Sequence, residues 1–291
     1  MSPAVNEVRS RTTSGEHGVQ VSPKLQYKSG FVSRWVTELW RPAVFVVGLA
    51  LVWWLVTAQK WVEPYILPSP QATVSALTDN AAYLTQHTGI TTLETVLGFI
   101  IAVVLGELVA VLMVYSRSME KTMYPVILFA QVIPKIAIAP LFVVWLGFGI
   151  EPKILIAVLM AFFPIVISGM AGLRSVDPEI LELTSTMGAN PIKTFLKIRF
   201  PASLPQLFSG LKVAATLAVT GAVVGEFVGA NEGLGYVILQ ANGNIDTAML
   251  FAALIIMSVL GILLFALIQI AEWFMIPWHS SRRANGASTT A

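Results

Sequence analysis

The chain has 291 residues, of which 56% are hydrophobic and 12% charged, with a formal net charge of +2 and no cysteine. A soluble domain carries about 25% charged residues, so this composition excludes an ordinary globular protein and indicates a polytopic, all-α membrane protein. The lack of cysteine excludes disulfides and cysteine-ligated metal, and the small net charge gives no reason to expect a nucleic acid partner.

Residues 1–30 are polar and rich in Ser, Thr and Gly, without the apolar core and cleavage site of a signal peptide, and read as a disordered tail. In FVSRWVTELWRP, Phe31, Val32, Trp35, Val36 and Leu39 share one helical face, which predicts a short interfacial helix over 31–41. A six-span domain over 42–275 follows, with apolar runs at 43–60, 91–115, 124–147, 153–173, 207–229 and 248–274, each of about the length that crosses a bilayer. Residues 276–291 form a closing tail. With the N-terminus inside, 15 of the 18 Lys and Arg fall on the inner side; Lys60 and Lys153 fall outside and Lys135 within a span. Both termini are therefore expected in the cytoplasm. Trp53, Trp54, Trp61, Trp145 and Trp273 lie at or near span ends, as interfacial anchors do.

Span two carries Gly98, Ala102, Gly106 and Ala110 at four-residue spacing, a ladder that admits a close neighbouring helix. Span three contains Pro134 and Pro140, each lacking a backbone donor, with Lys135 between them. A lysine at that depth needs a counter-charge or water. Glu107 on span two falls at similar depth, so Lys135 is either half of a structural ion pair or an attractor for an anionic solute.

Between spans four and five, residues 174–205 form a polar insert. Asp177, Pro178 and Glu179 make a helix start by side-chain capping, preset φ and helix-dipole charge. Gly188 can take the left-handed conformation that ends this helix, Asn190 and Pro191 start a second one, and Pro201 is expected to limit it. Ile180, Leu181, Leu183, Thr184 and Met187 recur at helical spacing, a face that packs either on the membrane and the protein's own helix ends or on a partner. Span five repeats the glycine ladder at Gly221, Gly225 and Gly229, with Glu226 near its outer end, at a pathway mouth or in solvent. The segment NEGLGYVILQANGNID reads as a short outer helix or connector.

The chain lacks a G-x-x-x-x-G-K-[ST] loop, H-E-x-x-H and G-x-S-x-G. His17, His87 and His279 are expected in the tail, an outer loop and the C-terminal end, which argues against a metal site. Energised work would then draw on a partner or an ion gradient. Glu107, Lys135 and Glu226 could serve an ion-coupled transporter or channel, although that reading leaves the capped insert unexplained.

From Glu182 the chain reads E-L-T-x3-G-x9-I-x-F-P, with Leu183, Thr184, Gly188, Ile198, Phe200 and Pro201. This resembles the E-A-A-x3-G-x9-I-x-L-P signature of ABC importer permeases, with Leu and Thr in place of the two alanines and Phe in place of the last leucine. YILPSPQATVSAL, QVIPKIAIAPLFVVWLGFG and GAVVGEFVGANEGLGYVILQA extend the resemblance over roughly 40–275. They are similar to the nitrate, sulfonate and taurine permeases and to relatives assigned to pyrimidine precursors, riboflavin and aromatic compounds. The resemblance implies the type I importer permease fold in a bacterial inner membrane, working as a homodimer with two ATPase subunits and an extracytoplasmic substrate-binding protein. ATP and Mg would be bound by the ATPase partner, leaving this chain without a cofactor or catalytic role. The insert would be the coupling helix, contacting the ATPase through Glu182, Leu183, Thr184, Met187, Gly188, Ile198 and Pro201. Span five would meet its copy across the dimer axis and line the pathway through Gly221, Gly225, Gly229, Glu226 and Lys135.

Overall fold

The structure, a computed structural model, describes residues 31–276, with side chains at Trp40 and from Pro42 onward. The segment 1–30, the tail beyond Ile276 and the side chains of the expected interfacial face lie outside the described residues. Residues through Ala50 form one unit and those from Leu51 another. The backbone runs as one helix, α1 (Phe31–Ala58), so no break separates the expected interfacial helix from the first span.

All regular structure among the described residues of the second unit is helical. A connector helix, α2 (Pro70–Asp79), starts with Pro70 in its first turn and with Ser69 accepting the Ala72 N–H. Long helix α3 (Ala81–Tyr115) follows, then the pair α4 (Arg117–Val132) and α5 (Lys135–Leu146), and then α6 (Glu151–Leu173). Insert helices α7 (Pro178–Thr186) and α8 (Pro191–Thr194) lead into α9 (Phe200–Gly229), α10 (Leu234–Gly243) and α11 (Thr247–Met275).

Helix α6 is the centre of the packing, gripped on one side by α3 and on the other by α9. Lipid tails are as apolar as leucine, so helices associate here by close fit and not by escape from water. Both ladders serve that fit. A methyl group added at Gly98 of α3 would come 2.5 Å from the Ala157 side chain, and one at Gly221 of α9 would come 2.6 Å from the Ala157 backbone. At Gly225 the obstacle is the Lys153 backbone, 2.7 Å away. Gly229 faces Val143 and Phe148. The span-five ladder is thus filled from within the subunit, which corrects the expectation that it faces a second copy. The solvent- or partner-facing stripe of α9 is instead Gln206, Ser209, Val213, Thr216 and Thr220, at spacings of three and four.

The six expected spans resolve into four long apolar helices, Ala81–Tyr115, Glu151–Leu173, Pro191–Gly229 and Thr247–Met275, one bent pair, and the shorter apolar stretch Pro42–Ala58. The bent pair corrects span three. Pro134 drives Ile133 out of helical geometry to φ −62° and ψ 125°, and α4 and α5 meet at 96°. Pro140 lies inside α5 without ending it. Pro201 and Pro205 also lie inside a helix: a π turn at Phe195–Arg199 joins α8 to α9, so the second insert helix runs on into span five and is not limited at Pro201.

Lys135 and Glu107 do not pair. The Lys135 ammonium donates to the Gln131 carbonyl and sits 4.9 Å from the centroid of the Phe163 ring. It thereby closes the C-terminal end of α4 at the bend, where free carbonyls attract a cation. Both Glu107 carboxyl oxygens are buried without a hydrogen-bond partner, with Gly169 of α6 alongside. Replacing Lys135 by Met should therefore cost about 1–3 kcal/mol of stability through the lost charged hydrogen bond. In thermal unfolding in detergent the effects of Lys135→Met and Glu107→Gln should simply add, and a departure from additivity above about 0.5 kcal/mol would mean that the two residues pair after all.

Candidate functional site

Two groups of residues, at opposite ends of the helices from Leu51 onward, carry features that packing alone does not require. At one end is the insert. The Asp177 carboxylate accepts the Glu179 N–H at 3.0 Å, and the Asn190 side-chain Oδ1 accepts the Ile192 N–H at 2.9 Å. Gly188 between them has φ +68°, the left-handed geometry that reverses the chain. The caps expected from the sequence are all made.

The expected apolar face divides in two. Leu181 and Thr184 are half-buried and line a cleft of about 170 Å³ with Tyr115 and Arg199. There the Arg199 guanidinium lies 5.3 Å from the Tyr115 ring centroid and anchors the insert to the end of α3. Ile180, Leu183 and Met187 remain exposed, Met187 at 76%. Ile192 and Leu196 extend this exposed set beyond Gly188. Glu182 is exposed, whereas Ile198 and Pro201 are half-buried where the helix enters α9. Two ion pairs stiffen the same end: Arg174 with Glu120, and Lys212 with Glu272.

At the opposite end, the starts of α3 and α6 meet the end of α9 around a buried polar cluster. Lys153, expected outside, is 8% exposed and donates to Glu94 Oε1 at 2.7 Å. Glu226 is fully buried, which corrects its placement at a pathway mouth or in solvent. Its Oε1 accepts the Thr91 hydroxyl at 2.6 Å, its Oε2 accepts the Gly235 N–H, and its carboxyl group lies beside that of Glu94. Thr91 Oγ1 in turn accepts the Leu234 N–H at 2.8 Å, and His87 Nδ1 accepts the Gly233 N–H at 2.9 Å. His87 is thus a buried residue of α3 and not of an outer loop. The segment expected as a short outer helix is α10, with Leu234, Val237 and Ile238 buried.

Gly233, at φ +109°, and Gly235 leave the room that Glu226 occupies. The sequence reading missed Glu94 and the burial of Lys153. The available signal was two ionisable residues placed just inside apolar runs, where a charge is retained only with a partner. Among the described residues no group of three or more His, Cys, Asp or Glu is placed to hold a metal ion.

Residues 95–274 match the family described as binding-protein-dependent transport system inner membrane component. A probable ABC transporter permease protein of Haemophilus influenzae is 39% identical over 78% of this chain and 93% of its own length. The formylaminopyrimidine transport permease ThiX of Halalkalibacterium halodurans is 38% identical over 83% of this chain and 96% of its own. The fold also resembles that of an inward-facing MetNI methionine ABC transporter, with a TM-score of 0.56 over 67% of this chain and 95% of the other, at 24% identity. The chain belongs to the binding-protein-dependent transport system inner membrane component family and is a permease subunit of an ABC importer for small solutes.

Proposed function

We propose that two copies of this chain form the pathway of an ATP-driven importer in a bacterial inner membrane, with two ATPase subunits below and a substrate-binding protein above. The observation that carries this reading is the exposed apolar set on the insert: Ile180, Leu183, Met187, Ile192 and Leu196, left uncovered on a capped, anchored element. Such a face is complementary to a protein groove. Glu182 beside it offers a charged contact at the rim.

In this reading the ATPase pair binds ATP and Mg, closes, and carries the two inserts with it. The second insert helix continues through the π turn into α9 without a break, so a displacement of the insert is delivered to a pathway helix. The face of α9 suited to line that pathway is Ser209, Thr216 and Thr220, whose side chains are small and polar. The Thr216 and Thr220 hydroxyls donate to carbonyls of their own helix, so they add weak polarity without binding tightly. An ion-coupled mechanism is less well supported, because Lys135 and Glu226 are committed to local hydrogen bonds.

Gly188→Val should strain the reversal between the insert helices because φ is positive there, although nothing crowds the site. Leu183→Asp should place a charge in the groove contact. Each variant should insert and dimerise normally yet lose at least about tenfold in copurification with the ATPase, or in ATP-driven uptake into vesicles, the equivalent of about 1.4 kcal/mol. Glu182→Ala should show a smaller loss of the same kind. Normal assembly and uptake in the first two variants would refute the docking role.

Topology supplies a separate check. Reporters fused after Arg283 or inserted near Lys193 should read as cytoplasmic, and those near Asn80 or Asn242 as external. An external signal at Lys193 would place the insert on the wrong side for any ATPase.

A further inference from the structure

At the insert end of the molecule, where α4 begins, lies a pocket of about 560 Å³ lined by Arg117, Glu120, Lys121, Tyr124 and Pro125. Its charges are unevenly matched. The Glu120 carboxylate is taken by Arg174, which follows the last residue of α6. Arg117 and Lys121 are exposed, and among the described residues neither has an ion-pair or hydrogen-bond partner. The other cations near the helix ends on this side are engaged, Arg199 over the Tyr115 ring and Lys212 by Glu272. The pocket thus carries two uncompensated positive charges that no contact described above uses.

The course of α4 shows what lies beyond those charges. Glu120 meets Arg174 at one end of α6, whereas Lys135, just past the far end of α4, meets the Phe163 ring about three turns earlier on the same helix. Helix α4 therefore climbs alongside α6 from the insert end into the depth of the apolar helices. One side of it is covered: Met123, Ile127 and Ala130 share a cluster with Ala110 and Met113 of α3 and with α6.

Another face is uncovered and graded. Arg117, Lys121, Tyr124, Leu128 and Val132 recur at spacings of four, three, four and four, so they share one face, and all are exposed. From the insert end inward that face presents two cations, a phenol and then two aliphatic side chains. It extends over about 22 Å, and half of a bilayer with its headgroups measures about 20–22 Å. A phospholipid offers the complementary groups in the same order: an anionic phosphate, a polar glycerol region and hydrocarbon. A small soluble anion would engage the two cations and leave the rest of the face unused.

We propose that this face of α4 binds one anionic phospholipid from the leaflet on the insert side. Its phosphate lies between Arg117 and Lys121, its glycerol region at the Tyr124 ring, and an acyl chain along Leu128 and Val132. The basic bias of cytoplasmic segments in general requires only charge near the membrane. Here the two cations share a pocket, and the apolar continuation on the same face makes a single site of them. The inference goes beyond the importer reading and is independent of the solute.

The test is native mass spectrometry of the full-length chain released from detergent and titrated with phosphatidylglycerol or with phosphatidylcholine of the same acyl chains. Phosphatidylglycerol should bind saturably and at least about tenfold more tightly, as two cations beside an anionic headgroup imply. The double variant Arg117→Gln with Lys121→Gln should reduce that preference to within about threefold. Val132→Asp should weaken phosphatidylglycerol binding at least about threefold by setting a carboxylate where hydrocarbon runs. Lys193→Gln, which removes a cation on the insert, should leave the preference unchanged. All of these side chains are exposed, so each variant is expected to fold.

Equal binding of the two lipids by the unaltered chain, or an undiminished preference in the double variant, would overturn the proposal. Loss of the preference in Lys193→Gln as well would reduce it to unspecific charge attraction and overturn it too. Displacement of phosphatidylglycerol by excess inorganic phosphate, or indifference to Val132→Asp, would identify a small-anion site and reject the lipid as its occupant.

Discussion

The close approach of α3 and α9 to the two sides of α6 is the constraint on which the rest of the structure depends. In a bilayer nothing pushes apolar helices together, so contact must come from backbones near enough for dispersion to act along their whole length. Ala157 shows how tight this is: its side chain blocks a methyl group at Gly98 from one direction, and its backbone blocks one at Gly221 from the other. A larger residue at any of the three positions would separate two helices at once. The same approach brings the starts of α3 and α6 and the end of α9 together, which is what places Glu94, Lys153 and Glu226 in one buried cluster.

That cluster and the insert are joined by one element. The helix from Pro191 to Gly229 spans 39 residues, roughly 58 Å at 1.5 Å per residue. Its lower end includes the π turn beside the capped insert, and its upper end carries Glu226. A rigid helix of this kind can carry a displacement without a chain of side-chain rearrangements. The π turn is also the place where local hydrogen bonding departs from the α pattern, with the Phe200 N–H bonded to the Phe195 carbonyl just ahead of Pro201. Proline in the following turn offers no donor, so the helix tolerates it there without kinking to satisfy one.

All but one of the charged residues discussed within the apolar segments have a local task. Lys135 closes the end of α4 at a bend forced by Pro134, and Lys153 neutralises one oxygen of Glu94. Lys212 meets Glu272 near the insert end of α9 and α11. Glu107 differs, since neither oxygen has a partner, and the structure offers no account of why a carboxyl group stands there.

The sequence by itself determined the class of protein, the order of the apolar helices and the construction of the insert. Those features rest on local physics: span length follows from hydropathy, and Asp177, Gly188 and Asn190 act on backbone atoms within a few residues. The permease signature was legible for the same reason, as a run of fixed spacing from Glu182 to Pro201. Only the tertiary structure decided what faces what. Glycine at every fourth position announces close packing but not the partner, so Gly221 and Gly225 proved to meet α6 within the subunit. Depth along a helix axis set Lys135 level with Glu107, yet rotation about that axis and the bend at Pro134 sent them to different neighbours. Glu94, Lys153 and Glu226 are separated by 59 and 73 positions in the chain, and no periodicity within a single helix could bring them together. Their meeting is a property of three helices packed at once.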